Sequence, residues 1–295
     1  MKTKILVTGG NGFLGKHVVK QLALNKENDL TILADKKNNF GSGIKFLRID
    51  LRDEKKVLKK VKDFDVVFHL AGNTITNKTN VPELHNEVNA FGTLNLLRAC
   101  AKSKIKHFIF VSTCEVYGSN LKGKVLESRK PKPINDYGKS KFIAEGYCKK
   151  FSKFFKVTII RPSYIYGIGQ PKERFFSKLI VSAIKDKKIK FSPDAGGYDF
   201  VYIKDATKGI IKLAQRKNKK KLEIFNLSSG KYSSMKQIFN LLMEITGKSY
   251  IENFLLHQKN RNQKMFFLSI KKAQKKGYVP KYSLKEGLRD YINYF

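Results

Sequence analysis

A chain of 295 residues with 41% hydrophobic content can bury one large α/β core, or one core with a smaller lobe appended. Its 60 basic residues against 24 acidic ones give a formal net charge of +36, but 51 of them are lysines spread along the whole length and only nine are arginines. Nucleic-acid readers cluster their charge and favour arginine, so this diffuse coat argues for compositional bias and against a nucleic-acid partner.

No stretch approaches the roughly 20 apolar residues of a membrane span. The first apolar run is too short for a signal peptide and ends in a glycine turn. Cys100, Cys114 and Cys148 are odd in number and lack metal-ligand spacing, which fits reduced thiols in a cytoplasmic protein. Short basic runs at Lys185–Lys188 and Arg216–Lys221 read as solvated helix ends or loops.

Ile5 to Val7 reads as a buried parallel strand. It breaks into Gly9, Gly12 and Gly15, and the helix-like pattern Phe13, Leu14, Val18, Val19, Leu22 follows. Strand, glycine turn and helix form the context of a dinucleotide fingerprint. Gly9 makes the tight turn, Gly12 lets backbone approach a pyrophosphate, and Gly15 lets helix pack on strand. The helix N-terminus supplies N–H donors to the phosphates.

A second strand, Leu30 to Ala34, ends in Asp35. An acidic residue about 20 positions beyond the glycine turn accepts hydrogen bonds from an adenosine ribose and repels a 2′-phosphate, which favours NAD over NADP. Lys36 and Lys37 follow it and blunt that repulsion. Ile44 to Ile49 is a third strand, leading to Asp50, Leu51 and Asp53, the last an N-cap for the amphipathic Val57, Leu58, Val61 stretch. Asp65 to Leu70 is a fourth strand, nearly all apolar, followed by Ala71 and Gly72. His69 at its end reads as structural.

A long helix is expected from Pro82 to Lys102, carrying Asn89, Gly92 and Thr93. The fifth strand, His107 to Ser112, runs into Thr113, Cys114 and Glu115. Strands alternating with helices predict a Rossmann-like, doubly wound parallel α/β sheet with ligands at the carboxyl ends of its strands. Thr8, Asp35, Ala71 and Thr113 fall on that edge. Tyr137 and Lys141 are four apart in a helical pattern and project from one face. An ammonium beside a phenol stabilises the phenolate and is expected to lower a pKa that starts near ~10.

The ordered set of the glycine turn, Asp50-Leu51-Arg52-Asp53, His69-Leu70-Ala71-Gly72, Asn89-x-x-Gly92-Thr93, Val116-Tyr117-Gly118 and Tyr137-x-x-x-Lys141 resembles the extended short-chain dehydrogenases/reductases. Within them it is similar to the NAD-dependent epimerase/dehydratase family, which acts on nucleotide-sugars. The resemblance is firm to about residue 210.

It implies that Gly9, Gly12, Phe13, Leu14, Gly15 and Asp35 hold NAD. Asp50 and Leu51 would lie at the adenine, Leu70 and Ala71 on the cofactor path, and Asn89 would fix backbone near the nicotinamide ribose. Tyr137 would be the acid/base. Lys141 would hold the ribose and tune Tyr137, and Thr113 would bind the reacting hydroxyl. Glu115 stands where dehydratases of the family keep a base, with Cys114 in place of their acid.

Beyond a sixth strand, Val157 to Ile160, lies Arg161-Pro162. Tyr164 then replaces a substrate-contacting Asn, and Tyr198 a phosphate-binding Arg. Arg261 matches a second substrate-phosphate Arg. The resemblance implies an NAD-binding domain over 1–162, to which later segments return, and a mainly substrate-binding lobe over 163–295. It also implies a nucleotide-sugar substrate and a homodimer. Epimerisation leads among the reactions, with dehydration, decarboxylation and keto-sugar reduction open. A catalytically silent relative that binds RNA through its basic surface is the rival of another class.

Overall fold

The computed structural model describes residues 1–36, 40, 43–74, 82–119, 121–185, 196–215, 220–248 and 265–295. Arg261, Lys37 and most of the two basic runs lie outside the described residues.

The strands and helices of the first half are β1 (Thr3–Thr8), α1 (Phe13–Ala23), β2 (Asn28–Ala34), β3 (Lys45–Arg48), α2 (Glu54–Lys60), β4 (Val66–His69), α3 (Pro82–His85), α4 (Gly92–Lys102), β5 (His107–Val111), β6 (Lys122–Val125), α5 (Asp136–Phe151) and β7 (Lys156–Pro162). Those of the second half are β8 (Tyr164–Tyr166), α6 (Phe175–Ile184), β9 (Gly197–Tyr198), β10 (Phe200–Tyr202), α7 (Ile203–Ala214), β11 (Leu222–Leu227), β12 (Ser233–Ser234), α8 (Met235–Thr246), β13 (Met265–Leu268), α9 (Lys271–Gln274) and α10 (Leu284–Ile292).

Seven strands form one sheet in the order β11-β7-β5-β4-β1-β2-β3, every pair parallel. Because side chains alternate along a strand, both faces of this sheet are apolar and both are covered. Ile5, Val7, Phe68, Ile109, Val111 and Ile160 meet α1 and α7 on one side. Leu6, Val67, Phe108, Phe110 and Ile159 meet α2, α4 and α5 on the other. The strand order reverses between β1 and β4, which opens a crevice at their carboxyl ends. Asp53 caps α2 as expected, accepting from Lys56 N at 3.0 Å and so satisfying one of the helix's unpaired N–H donors.

The helix expected over Pro82–Lys102 is not continuous. A π-helical turn, Asn86–Phe91, interrupts it between α3 and α4. One widened turn re-aims the side chains beyond it, and such turns occur mostly at functional sites.

A further core lies beyond the crevice. Tyr166, Phe176, Phe200, Tyr202, Ile238, Phe239, Leu288 and Tyr291 bring α6, α8 and α10 against the short β8–β10 pair. The chain crosses back in between, because β11 pairs with β7 and α7 lies on α1.

Candidate active site

The crevice floor is the turn after β1. Gly9 has φ +69°, and a Cβ there would stand 2.6 Å from the Ala71 backbone, so both conformation and space demand glycine. A Cβ on Gly15 would stand 2.0 Å from the Gly9 carbonyl, which sets the close approach of α1 to the strand. No side chain caps α1 and no acid sits in its first turn, so its N-terminal donors face the crevice. Asn11 donates to the Lys36 carbonyl, and its buried Oδ1 has no partner among the described residues. These residues fit a dinucleotide pyrophosphate.

Phe13, Leu14, Leu70 and Ala71 are half-buried along the same edge, and Asp35 is exposed at the end of β2. Arg48 Nε donates to the Asp35 backbone carbonyl at 3.1 Å, bringing to the end of β2 a cation that sequence reasoning did not single out. Asp50 accepts from Arg52 through both oxygens, and Arg52 also pairs with Glu87 at 3.1 Å. Its carboxylate is thus already engaged, while Leu51 is buried and gives its carbonyl to Asn95.

A chain of hydrogen bonds ties the crevice walls together. Thr93 donates its one hydroxyl proton to the Asn89 carbonyl (2.6 Å), so it must accept from His69 Nε2 (2.7 Å). Nδ1 of His69 is then the acceptor for the Thr8 hydroxyl at 2.6 Å. Burial, then Lys141, hold this imidazole well below the usual histidine range. It is neutral and a strut, as expected.

Asn89 sits on the π turn. Its amide accepts from Asn73 N (2.7 Å) and donates to Asn73 O (2.9 Å) and to Ser140 Oγ (3.0 Å). Ser140 precedes Lys141, so the same side chain fixes the β4 loop against α5.

Helix α5 starts at Asn135, whose Oδ1 accepts from Gly138 N at 2.7 Å. Thr113, 8% exposed just past the end of β5, lies close enough to the Tyr137 phenol to favour its ionised form. Lys141 is buried with Nζ 4.2 Å from the Phe110 ring centroid. The expected lowering of the phenol is reversed. Burial pushes Tyr137 up to about 12, against the lowering influence of Arg174 and Thr113. Burial likewise brings Lys141 down to about 8. In low dielectric the charged form of each is disfavoured, and that outweighs their adjacency.

One turn beyond Lys141, Glu145 forms a buried bidentate pair with Arg161 on β7, at 2.9 and 2.6 Å, and accepts from Ser112 at 2.7 Å. Arg161 reaches on to Tyr117, which donates to Asn226. This network joins α5 to β5, β7 and β11.

The opposite wall carries Glu115. Its Oε2 accepts from Asn135 Nδ2 at 3.0 Å, and its Oε1 from the Tyr164 hydroxyl. Tyr164 stands edge-on to Tyr198 at 4.5 Å. Cys114 is buried in an apolar cluster with Val116, Leu121, Val125, Phe266 and Leu268.

Two further side chains close on Tyr137. The buried His85 ring is 6.0 Å away and edge-on. Arg174, at the start of α6, donates to Thr74 at 2.6 Å and acts on the Tyr137 phenol through its charge. Neither was legible from spacing. Asn135, one residue before a helix that begins at Asp136, carried the ordinary N-cap signal. Among the described residues no cluster of His, Cys, Asp and Glu could hold a metal ion, and no helix is long and apolar enough to cross a membrane.

A doubly wound sheet whose strand edge gathers a glycine turn and a Thr–Tyr–Lys set defines a dinucleotide-dependent enzyme of the short-chain dehydrogenase type. The chain belongs to the NAD dependent epimerase/dehydratase family, whose model matches residues 5–228. It is 30% identical to UDP-glucuronic acid 4-epimerase from Bacillus cereus, solved with NAD, covering 99% of this chain and 96% of that one with a TM-score of 0.85. It is 28% identical to UDP-glucose 4-epimerase from Thermotoga maritima, solved with UDP-glucose, at TM-score 0.88 over 99% and 98%. Human dTDP-D-glucose 4,6-dehydratase is 28% identical over 99% of this chain and 88% of its own length. NAD is the cofactor of the family, and the crevice floor fits it.

Proposed function

We propose that this protein is a nucleotide-sugar epimerase acting by transient oxidation of a sugar hydroxyl. Bound NAD supplies a reversible hydride acceptor. Tyr137 takes and returns the hydroxyl proton, and Thr113 holds the sugar oxygen and the phenol in line. Lys141, charged at neutral pH, holds the cofactor ribose and favours the phenolate once Tyr137 ionises. Asn89 and the Glu145–Arg161 pair keep α5 in register with β5.

The observation that carries epimerisation over dehydration is the burial of Cys114 among Val116, Leu121, Val125 and Phe266. Elimination of a 6-hydroxyl needs an acid beside the base, and the Cys114 thiol, which borders the Tyr137 and Tyr164 phenols as well as that cluster, is a weak donor. Glu115, at the base position, is the observation that favours the second reading, a dehydratase.

The reading extends to a homodimer through α4 and α5, supported by Phe91, Phe142 and Ile143, which these helices and the adjoining π turn leave partly exposed, and by a groove lined by Leu58, Arg98, Ala101, Phe151 and Phe154. It extends also to a cytoplasmic location, supported by three buried cysteines that form no disulfide.

The test is a turnover screen across UDP-, GDP-, CDP- and dTDP-sugars, with products identified by NMR and mass. A product epimeric with its substrate and equal in mass is expected, and a product lighter by one water would sink the epimerase reading. Tyr137→Phe is expected to lower turnover by about 10²–10⁴-fold with folding and NAD affinity kept.

A further inference from the structure

Among the described residues, Glu115 is the carboxylate beside Thr113 and Tyr137 that the epimerase reading leaves without a chemical task. We propose that the Tyr164 hydroxyl holds Glu115 out of acid–base chemistry, making Tyr164 a positioning residue that keeps an oxidised sugar from losing its neighbouring proton. This rests on the epimerase reading and deepens it.

The geometry gives Glu115 two fixed donors. Asn135 Nδ2 reaches Oε2 at 3.0 Å and the Tyr164 hydroxyl reaches Oε1. Neither donor is free to swing. Asn135 is locked as the N-cap of α5 through Gly138 N at 2.7 Å. Tyr164 opens β8, pairs with Phe200 in the β8–β10 register, and takes the Asp199 carbonyl on its own N–H at 3.4 Å. Its ring is wedged between Tyr198 at 4.5 Å and Phe200 at 6.1 Å. Burial, then Cys114 and Glu115, push the phenol well above the usual tyrosine range, so its proton stays on and keeps donating.

The chemical consequence follows from what oxidation does to a hexose. A ketone at C4 acidifies the C5 hydrogen. A base that takes that proton leaves the electron pair of the C–H bond in an enolate on the C4 oxygen. Reprotonation at C5 restores the ketone, whereas departure of the 6-hydroxyl with a proton from an acid eliminates water. A carboxylate engaged on both oxygens by donors fixed in the fold is held in one orientation, and must give up a hydrogen bond to turn an oxygen toward C5. Deleting the Tyr164 hydroxyl removes the donor to Oε1 while leaving the aromatic ring in its slot.

The experiment incubates the parent protein, Tyr164→Phe and Tyr164→Met with NAD and UDP-glucose, UDP-glucuronic acid or dTDP-glucose in D2O. Deuterium at C5, per turnover at C4, is read by NMR, with product mass and a thermal melt alongside. The expected result is little C5 deuterium in the parent and at least about tenfold more in Tyr164→Phe, where a positioned general base is released to act. Adding Glu115→Gln to Tyr164→Phe is expected to abolish the gain, which a merely structural loosening would not do. Equal C5 deuterium in the parent and both Tyr164 variants overturns the proposal. Failure of the underlying reading shows elsewhere, in a parent product lighter by one water.

Discussion

Among the described residues two carboxylates are wholly buried, in different regions, and their environments differ in kind. Glu145 lies in the seam between α5 and β7, and faces a guanidinium, Arg161, with side chains 0% and 1% exposed. Asp199 lies in the seam between the sheet and the second core and, among the described residues, faces no cation within hydrogen-bonding reach. Its oxygens accept from Ser229 N (3.1 Å), Ser229 Oγ (2.7 Å) and Leu268 N (2.9 Å), and from the Ser228 hydroxyl. Burial pushes Asp199 up to about 6 against all these donors. A full opposite charge and a set of neutral dipoles both satisfy a buried carboxylate. Only the first does so with a group that cannot lose its proton in the working range.

The largest effect is expected from breaking the charged seam. Arg161→Met leaves Glu145 buried without its partner and is expected to cost about 3–5 kcal/mol in denaturant unfolding. An unfolding free energy within 1 kcal/mol of the parent's, at the same m-value, would mean water reaches Glu145 and the seam is not dry.

The neutral seam is sharpened by pH. Asp199 in the folded protein keeps its proton to about pH 6, against the ordinary 3.8 of an aspartate carboxyl. The folded state therefore binds the proton more tightly. The contribution is fully present below the unfolded pKa and is lost as pH rises through about 6, on the order of 2–3 kcal/mol in all. Other carboxylates give the opposite slope, so the quantity to measure is the difference between parent and Asp199→Asn at pH 4.5 and at pH 7.5. The variant is expected to lose stability relative to the parent at the lower pH more than at the higher. An equal loss at both would remove the proton from the account.

The smallest effect belongs to one donor. Ser229→Ala is expected to cost about 0.5–1.5 kcal/mol at pH 7.5, where the charged carboxylate needs that hydroxyl. The cost should shrink toward pH 4.5, and a cost that grows there would invert the assignment.

Much of the framework was legible because it is written in local patterns. The continuous apolar runs at Ile5–Val7 and His107–Ser112 could only be strands covered on both faces. Gly9 and Gly15 stand where a side chain would collide with backbone, a demand that shows as glycine in the sequence. Tyr137 and Lys141 share a helix face at a spacing any reader can count.

The tertiary structure decided whatever depends on two distant segments meeting in low dielectric. The π turn that carries Asn89 follows from its anchoring to Asn73 and Ser140, which no helical period foretells. Tyr164 and Glu115 are 49 positions apart and Arg161 and Glu145 are 16, yet each pair meets in one hydrogen bond or ion pair. The Tyr137 phenol moved opposite to expectation for the same reason. Sequence spacing counts neighbours but not the water they displace, and here desolvation outweighs the nearby charge.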